Sequence, residues 1–299
     1  MLERFIEKAD AWLWETNQKK KWRVGDVGEW LRFAFARWLP HAFPDNAVSV
    51  VVALRNRGGE RERNCLESLL RQSLPGESYE VIVVDYGSRP RLEAFVKGVD
   101  ERLKYVYVAD GVEGEFNAPH AKNVGARLAK GAVLVFGNAD IVFPRNALRD
   151  LAVACWPRYP VLMEVARYDV PEELVGTGLQ ERFDEVLRDA RVKKDAHGSD
   201  VQALRRRFFA EPLNGFDERF AGWGAWDTDF RKRAVTAGFK RLNAGPFVKV
   251  LHQNHESLPE KHGLRYRENR ALLEATPRQA VAANEGKRFG ETNQRLYIS

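Results

Sequence analysis

Three apolar runs constrain this chain more than any other feature: VSVVVAL (48–54), YEVIVVD (79–85) and AVLVFG (132–137). Each lacks the polar–apolar alternation of a strand with one wet face, so each reads as a strand buried on both sides. Between them, RERNCLESLLRQS (61–73) puts Cys65, Leu66, Leu69 and Leu70 on one helical face. Residues 91–99 and 119–129 read as further helices, the latter opened by Pro119, and KYVYVA (104–109) reads as a short strand. Strands alternating with helices at this spacing predict parallel βαβ units, hence an α/β fold with a mostly parallel, Rossmann-like central sheet flanked by helices. In such sheets the ligand crevice lies beyond the carboxyl ends of the strands. Three of those ends are polar: Arg55-Asn56-Arg57, Asp85-Tyr86-Gly87-Ser88 and Asn138-Ala139-Asp140.

The second half has a different texture. PVLMEVARYDV (160–170) reads as one strand and residues 171–212 as charged helix or loop. A glycine- and aromatic-rich block follows (213–241), in which Asp227 and Thr228 suit the start of a helix running to Ala237 and Gly238 suits its stop. FVKVLHQNH (247–255) reads as a strand ending in His252 and His255, the latter a surface histidine in the simplest reading and otherwise a group supporting the ligands from behind. Residues 1–45 carry Trp12, Trp14, Trp22, Trp30 and Trp38 in two amphipathic helical patterns around the cluster Lys19-Lys20-Lys21-Trp22-Arg23. The plain expectation there is a helical hairpin packed on the main domain. The sharper one is a peripheral membrane or partner contact, since aromatic plus basic faces suit that task. The expected organisation is an N-terminal amphipathic helical extension (1–46), a main domain (47–256) and a helical or irregular C-terminal tail (257–299).

Composition narrows the function classes. A hydrophobic fraction of 44% over 299 residues allows a sizeable core. No run reaches the roughly 18–20 apolar residues of a membrane span. The first residues mix acids with apolar residues, unlike a signal peptide, and Cys65 and Cys155 form neither a disulfide framework nor a metal-type spacing. A cytoplasmic protein is therefore expected. Lys plus Arg exceed Asp plus Glu by 48 − 42 = 6. That excess suits a phosphorylated small molecule, nucleic acid or an anionic membrane surface, and no nucleic-acid partner is expected because no zinc-finger spacing or RNA-binding signature is present.

Asp140 sits between two apolar runs in FGNADIVF (136–143), a costly place for a charge unless something compensates it. A helix or turn cap is the simplest compensation. A divalent cation is another: hard ions take few protein ligands and leave positions for water and phosphate, and Asp140 with a histidine such as His252 is a candidate pair. Asp85 at the same sheet edge, with Asp227 and Asp229 in the glycine-rich turn, favours the second view. A carboxylate near a metal-bound diphosphate deprotonates a hydroxyl, and the metal stabilises the leaving diphosphate. This is an inventory for moving a group from a nucleotide diphosphate to an alcohol.

In order, VSVVVALRNR, CLESLLRQS, YEVIVVDYGS, APHAKNVGARLAKGAVLVFGNAD, GFDERFAGWGAWDTDF and VLHQNH resemble the GT-A glycosyltransferases of family 2, with a galactosyltransferase-type C-terminal half, over about 210 residues. The resemblance implies a hexosyltransferase that uses a nucleotide-diphosphate sugar, UDP favoured and GDP next, with Mn²⁺ or Mg²⁺, on a glycan or lipid-linked acceptor, as in polysaccharide biosynthesis. It implies that Asp85 meets the nucleotide base with Ala53 and Arg57 near it. Lys122, where the family commonly has Arg, would lie near the base or phosphates. Asn138-Ala139-Asp140 stands at the D-x-D motif, Asn138 toward the ribose and Asp140 on the metal with His252. Asp227 falls at the catalytic-base position of inverting members. Trp226 replaces an acceptor-binding glutamate, so Trp223 and Trp226 become the implied acceptor contacts. A retaining transferase, a nucleotidyltransferase and a non-catalytic carbohydrate-binding domain remain alternatives.

Overall fold

The computed structural model describes residues 44–155, 160–165, 167–192, 200–244, 247–255 and 264–299. The expected helical extension lies, apart from its last residues, outside them. Strands β1 (Val48–Leu54), β2 (Tyr79–Asp85), β3 (Lys104–Tyr107) and β4 (Val133–Gly137) alternate with helices α1 (Glu60–Leu70), α2 (Glu93–Val99) and α3 (Ala118–Leu128). β1 pairs in parallel with β2 and with β4, and β2 with β3. The continuous apolar runs follow from two-sided burial. Val48, Val50 and Val52 of β1 face a core built with α1, α2 and α4 (Ala147–Cys155), while Val51 faces a second core with α3. α3 lies hard on β1: a Cβ added to Gly125 would come within 2.4 Å of the Val51 side chain. That close approach sets Lys122, one turn earlier, at the carboxyl end of β4.

Two expectations from the second half are corrected. Residues 160–170 form not one strand but two, β6 (Val161–Val165) and β7 (Arg167–Val170), which belong to different sheets. Residues 171–212, expected as helix or loop, contain helices α5 (Phe183–Asp189) and α6 (Arg206–Ala210), and also strands β8 (Arg191–Val192) and β9 (Val201–Arg205). β9 runs antiparallel between β4 and β6 in the middle of the main sheet. With α7 (Trp226–Thr236), β10 (Lys240–Asn243), β11 (Val250–Gln253), α8 (Leu264–Ala275) and β12 (Tyr297–Ile298), the eight-stranded sheet has the order β10-β6-β9-β4-β1-β2-β3-β12. Only β9 and β12 run against the rest, so the sheet is mostly parallel. A four-stranded sheet, β5-β11-β7-β8, with β5 at Ile141–Val142, takes the chain that follows β4 and β6.

The C-terminal stretch returns over the domain. α8 packs on α7, Ala283 N–H donates to the Leu213 carbonyl, the Asn284 side chain donates to the carbonyls of Asn214 and Phe216, and β12 adds to the edge of β3. No helix among the described residues is long and apolar enough to cross a membrane.

Candidate active site

The small sheet assembles the site through its register. β11 lies between β5 and β7, so His252 stands opposite Ile141 on one side and Asp169 on the other. Asp140, the residue before β5, is thereby brought to His252, and its carbonyl accepts the Gln253 N–H at 3.0 Å. The Asp140 carboxylate lies 3.7 Å from His252 Nε2 and 3.2 Å from His255 Nε2. On the far side of the ring, His252 Nδ1 is 2.8 Å from Asp169 Oδ1, an arrangement that fixes the orientation of a metal-binding imidazole.

The electrostatics of this cluster are those of a cation site. Burial opposes ionisation of Asp140, yet the imidazoles of His252 and His255 outweigh it and hold its carboxyl far below the usual range. Burial likewise works against charge on His252, and Asp140 and Asp169 overcome it, so its pKa is raised. Asp140 Oδ1 is buried without a hydrogen-bond partner. The ligand atoms of Asp140, His252 and His255 all lie within 4.8 Å of one another. An orphaned carboxylate oxygen beside two convergent imidazoles fits a divalent cation. His255, expected as a surface histidine or as a group behind the ligands, instead turns its Nε2 to Asp140 within this cluster. The H-x-x-H spacing at the strand end was its signal.

A second group gathers around Lys122, which is only 2% exposed. Its ammonium donates to Asn138 Oδ1 at 3.1 Å and lies 4.5 Å from the centroid of the Trp226 ring. Burial pushes its pKa down to about 8, against Asp200, Asp227 and Asp140, whose charges favour the ammonium. Lys122 thus stands in the field of three of the site's carboxylates. Asp200 went unnoticed in the sequence because it sits in a charged stretch with no motif. Asn138 Nδ2 donates to it at 3.3 Å and Arg167 pairs with it at 3.0 Å.

α7 presents Asp227. Gly222, Gly224 and Ala225 take positive φ (69°, 93° and 71°), and the Asn269 side chain on α8 donates to the carbonyls of Ala221, Trp223 and Gly224. This fixes the turn that starts α7, leaving Asp227 half-buried in the first turn, where the helix dipole favours a carboxylate. Asp229 is fully buried and pairs with Arg233 at 2.8 Å. Trp223 is 46% exposed and its ring lies 5.3 Å from that of Tyr266. Trp226 is instead half-buried, edge-on to Phe216 at 5.2 Å and under Lys122.

The other expected residues stand apart. Ala53 is partly buried and Arg57 exposed at the end of β1. Asp85 is fully buried, and both its oxygens are engaged: it accepts from Ser88 N–H at 2.9 Å, Leu92 N–H at 2.8 Å and Tyr105 Oη at 2.7 Å. It leaves no surface for a nucleotide base and holds the 86–92 loop instead, which departs from the role the resemblance implied.

Comparison with known proteins agrees with this architecture. Validoxylamine A glucosyltransferase from Streptomyces hygroscopicus subsp. limoneus is 26% identical over 220 residues, covering 64% of this chain and 48% of that protein, so the chain spans about half its length. Among solved structures, S. aureus TarS 1–349 in complex with UDP-GlcNAc superposes with a TM-score of 0.55 at 16% identity, over 76% of this chain and 65% of that one. The mannosyltransferase PcManGT from Pyrobaculum calidifontis, in complex with GDP-Man and Mn²⁺, superposes at 0.50 and 20% identity, over 82% and 68%. The fold is the GT-A fold. The N-terminal domain of galactosyltransferase matches residues 198–256, the stretch from Asp200 to His255. The glycosyl transferase family 2 model matches residues 49–210, more than half of the sequence, and the chain belongs to that family.

Proposed function

We propose that this protein transfers a sugar from a nucleotide-diphosphate sugar, with UDP as the favoured nucleotide and GDP next, to a hydroxyl of a glycan or lipid-linked acceptor, with inversion at the anomeric carbon. The observation that carries the reading is the Asp140–His252–His255 cluster with its orphaned Oδ1, at the carboxyl edge of a GT-A sheet. The donors seen with TarS and PcManGT, UDP-GlcNAc and GDP-Man, support the donor class.

Asp140, His252 and His255 hold the cation, and Asp169 orients His252. Two imidazoles beside one carboxylate favour Mn²⁺ over Mg²⁺, which prefers oxygen ligands. A cation bound there neutralises the diphosphate as it leaves. Lys122, with Asn138, contributes positive charge and hydrogen bonds at the nucleotide end. Asp227 accepts the proton of the attacking hydroxyl. Trp223, exposed beside Tyr266, offers an aromatic face to the acceptor, and Trp226 closes the floor between donor and acceptor. The buried, unpaired Cys65 and Cys155 suit a reducing cytoplasm, and residues 1–45 are the candidate for a peripheral contact with the inner membrane face.

The test is a panel of UDP-, GDP- and dTDP-sugars incubated with Mn²⁺ and simple glycoside acceptors, with the product read by NMR. Transfer from one donor class with inverted configuration and loss of activity in EDTA is expected. Full activity in EDTA, or a retained configuration, contradicts the reading.

A further inference from the structure

The first acid of the D-x-D motif is missing at Asn138, and the structure supplies a reason. Asn138 lies between a carboxylate and an ammonium: its Nδ2 donates to Asp200 Oδ1 at 3.3 Å and its Oδ1 accepts from Lys122 Nζ at 3.1 Å. An ammonium only donates and a carboxylate only accepts, so these neighbours hold the amide in a single orientation. A carboxylate at position 138 would instead put two like charges side by side. Asp200 is in turn fixed by Arg167, which bridges it at 3.0 Å to Asp169, also at 3.0 Å, and Asp169 holds His252. One row of polar side chains therefore runs from the metal cluster to Lys122: His252, Asp169, Arg167, Asp200, Asn138, Lys122.

We propose that Asp200, on the loop entering β9, replaces the acid absent at Asn138, and that through Asn138 it positions Lys122 for the donor nucleotide. This rests on the donor reading above. Asp200 is a positioning residue. Its side chain is 13% exposed, and it works through the amide it orients. The acid has moved from the end of one central strand, β4, to the start of its antiparallel neighbour, β9, whose Val201 pairs with Gly137. The charge therefore stays at the same edge of the sheet while its sequence position shifts by 62 residues.

The proposal predicts a rescue. The parent, Asn138→Asp, Asp200→Asn and the double variant are compared by thermal unfolding without ligand and by titration with UDP and with GDP in Mn²⁺. Asn138→Asp alone loses at least about tenfold in nucleotide affinity, because it sets two carboxylates together and removes the amide that links Asp200 to Lys122. Asp200→Asn alone also weakens binding. In the double variant the acid and the amide have exchanged places, and affinity returns to within about threefold of the parent, with the melting temperature lost by Asn138→Asp regained. A double variant that binds no better than the weaker single variant overturns the proposal. So does recovery of melting temperature without recovery of affinity, which would mean the row serves stability alone. A parent that binds neither nucleotide overturns the donor reading itself, and this role for Asp200 with it.

Discussion

β2 and β4 are two strands of one sheet, and both end near an acid set among apolar residues. At the end of β2, Asp85 is saturated: two backbone N–H groups and a tyrosine hydroxyl fill its oxygens, and the loop 86–92 is its product. Just beyond β4, Asp140 keeps a buried oxygen without a partner and faces two imidazoles. Nearby chain already fills most of Asp85, through Ser88 and Leu92 three and seven residues on, with Tyr105 of β3 completing it, whereas Asp140 meets its imidazoles only because distant β11 lies beside β5. A buried acid whose bonds are complete is part of the scaffold. An unpartnered oxygen alone does not mark a ligand site, since Asp229 Oδ1 and Asp110 Oδ1 also lack partners; at Asp140 it is the two convergent imidazoles beside it that do.

The sharpest break of this comparison substitutes each acid by its amide. Asp140→Asn is expected to fold and to lose about 10⁴-fold in transfer rate, the scale of a lost metal contact worth several kcal/mol. Asp85→Asn replaces one acceptor oxygen by an amide N–H₂ donor facing groups that themselves donate, and is expected to cost about 2–4 kcal/mol in urea unfolding, with the folded fraction still active. An inactive but fully stable Asp85→Asn would reverse the two roles.

A second pair of acids, one half-buried and one paired with an arginine, lies within one helical turn. Asp227→Asn is expected to lower kcat by about 10²–10⁴-fold with donor affinity unchanged, since it removes only the proton acceptor. Asp229→Asn breaks a buried pair with Arg233 and is expected to destabilise by about 3–5 kcal/mol. Stopped-assay kinetics and denaturant titration of both variants separate the two, and a stable, inactive Asp229→Asn would blur the distinction.

These pairs also show what was legible in the sequence. The β1, β2 and β4 strands were readable because burial on both faces leaves uninterrupted β-branched runs. The start and stop of α7 were readable from Asp227, Thr228 and Gly238. β9 was not, although it lies mid-sheet: its five residues, VQALR, carry no pattern, and they become a strand only because β4 and β6 stand on either side. The break between β6 and β7 was hidden for the same reason, since partners in two sheets decide it. Of the candidate site, Asp140, His252, Lys122 and Asp227 were singled out from motif order. Asp200 and Arg167 were not, because their roles arise from pairing across strands rather than from spacing.

Two smaller effects sharpen the boundary between the metal cluster and the nucleotide end. His255→Ala should weaken Mn²⁺ binding by about 10–100-fold and leave an activity that excess Mn²⁺ restores. An unchanged metal requirement would return His255 to the surface role. Lys122, with a folded pKa of about 8 against 10.5 as its ordinary value, gives a pH signature. Above about pH 8 the folded protein loses this proton before the unfolded chain does. UDP affinity is therefore expected to fall, by at most about tenfold per pH unit, while this residue's contribution to stability rises until about pH 10.5. Lys122→Arg, which keeps its charge throughout, should flatten both trends, and a parent whose UDP affinity stays level from pH 7 to about 10 would contradict the assignment.

The most direct measurement is isothermal titration of Mn²⁺, with UDP present, into the parent protein, Asp140→Asn and Asp85→Asn at neutral pH. The account predicts one site in the parent, the same site in folded Asp85→Asn, and its loss in Asp140→Asn. Parent-like binding by Asp140→Asn, or an equal loss in Asp85→Asn, would contradict the claim that the unfinished carboxylate after β4, and not the finished one at the end of β2, holds the metal.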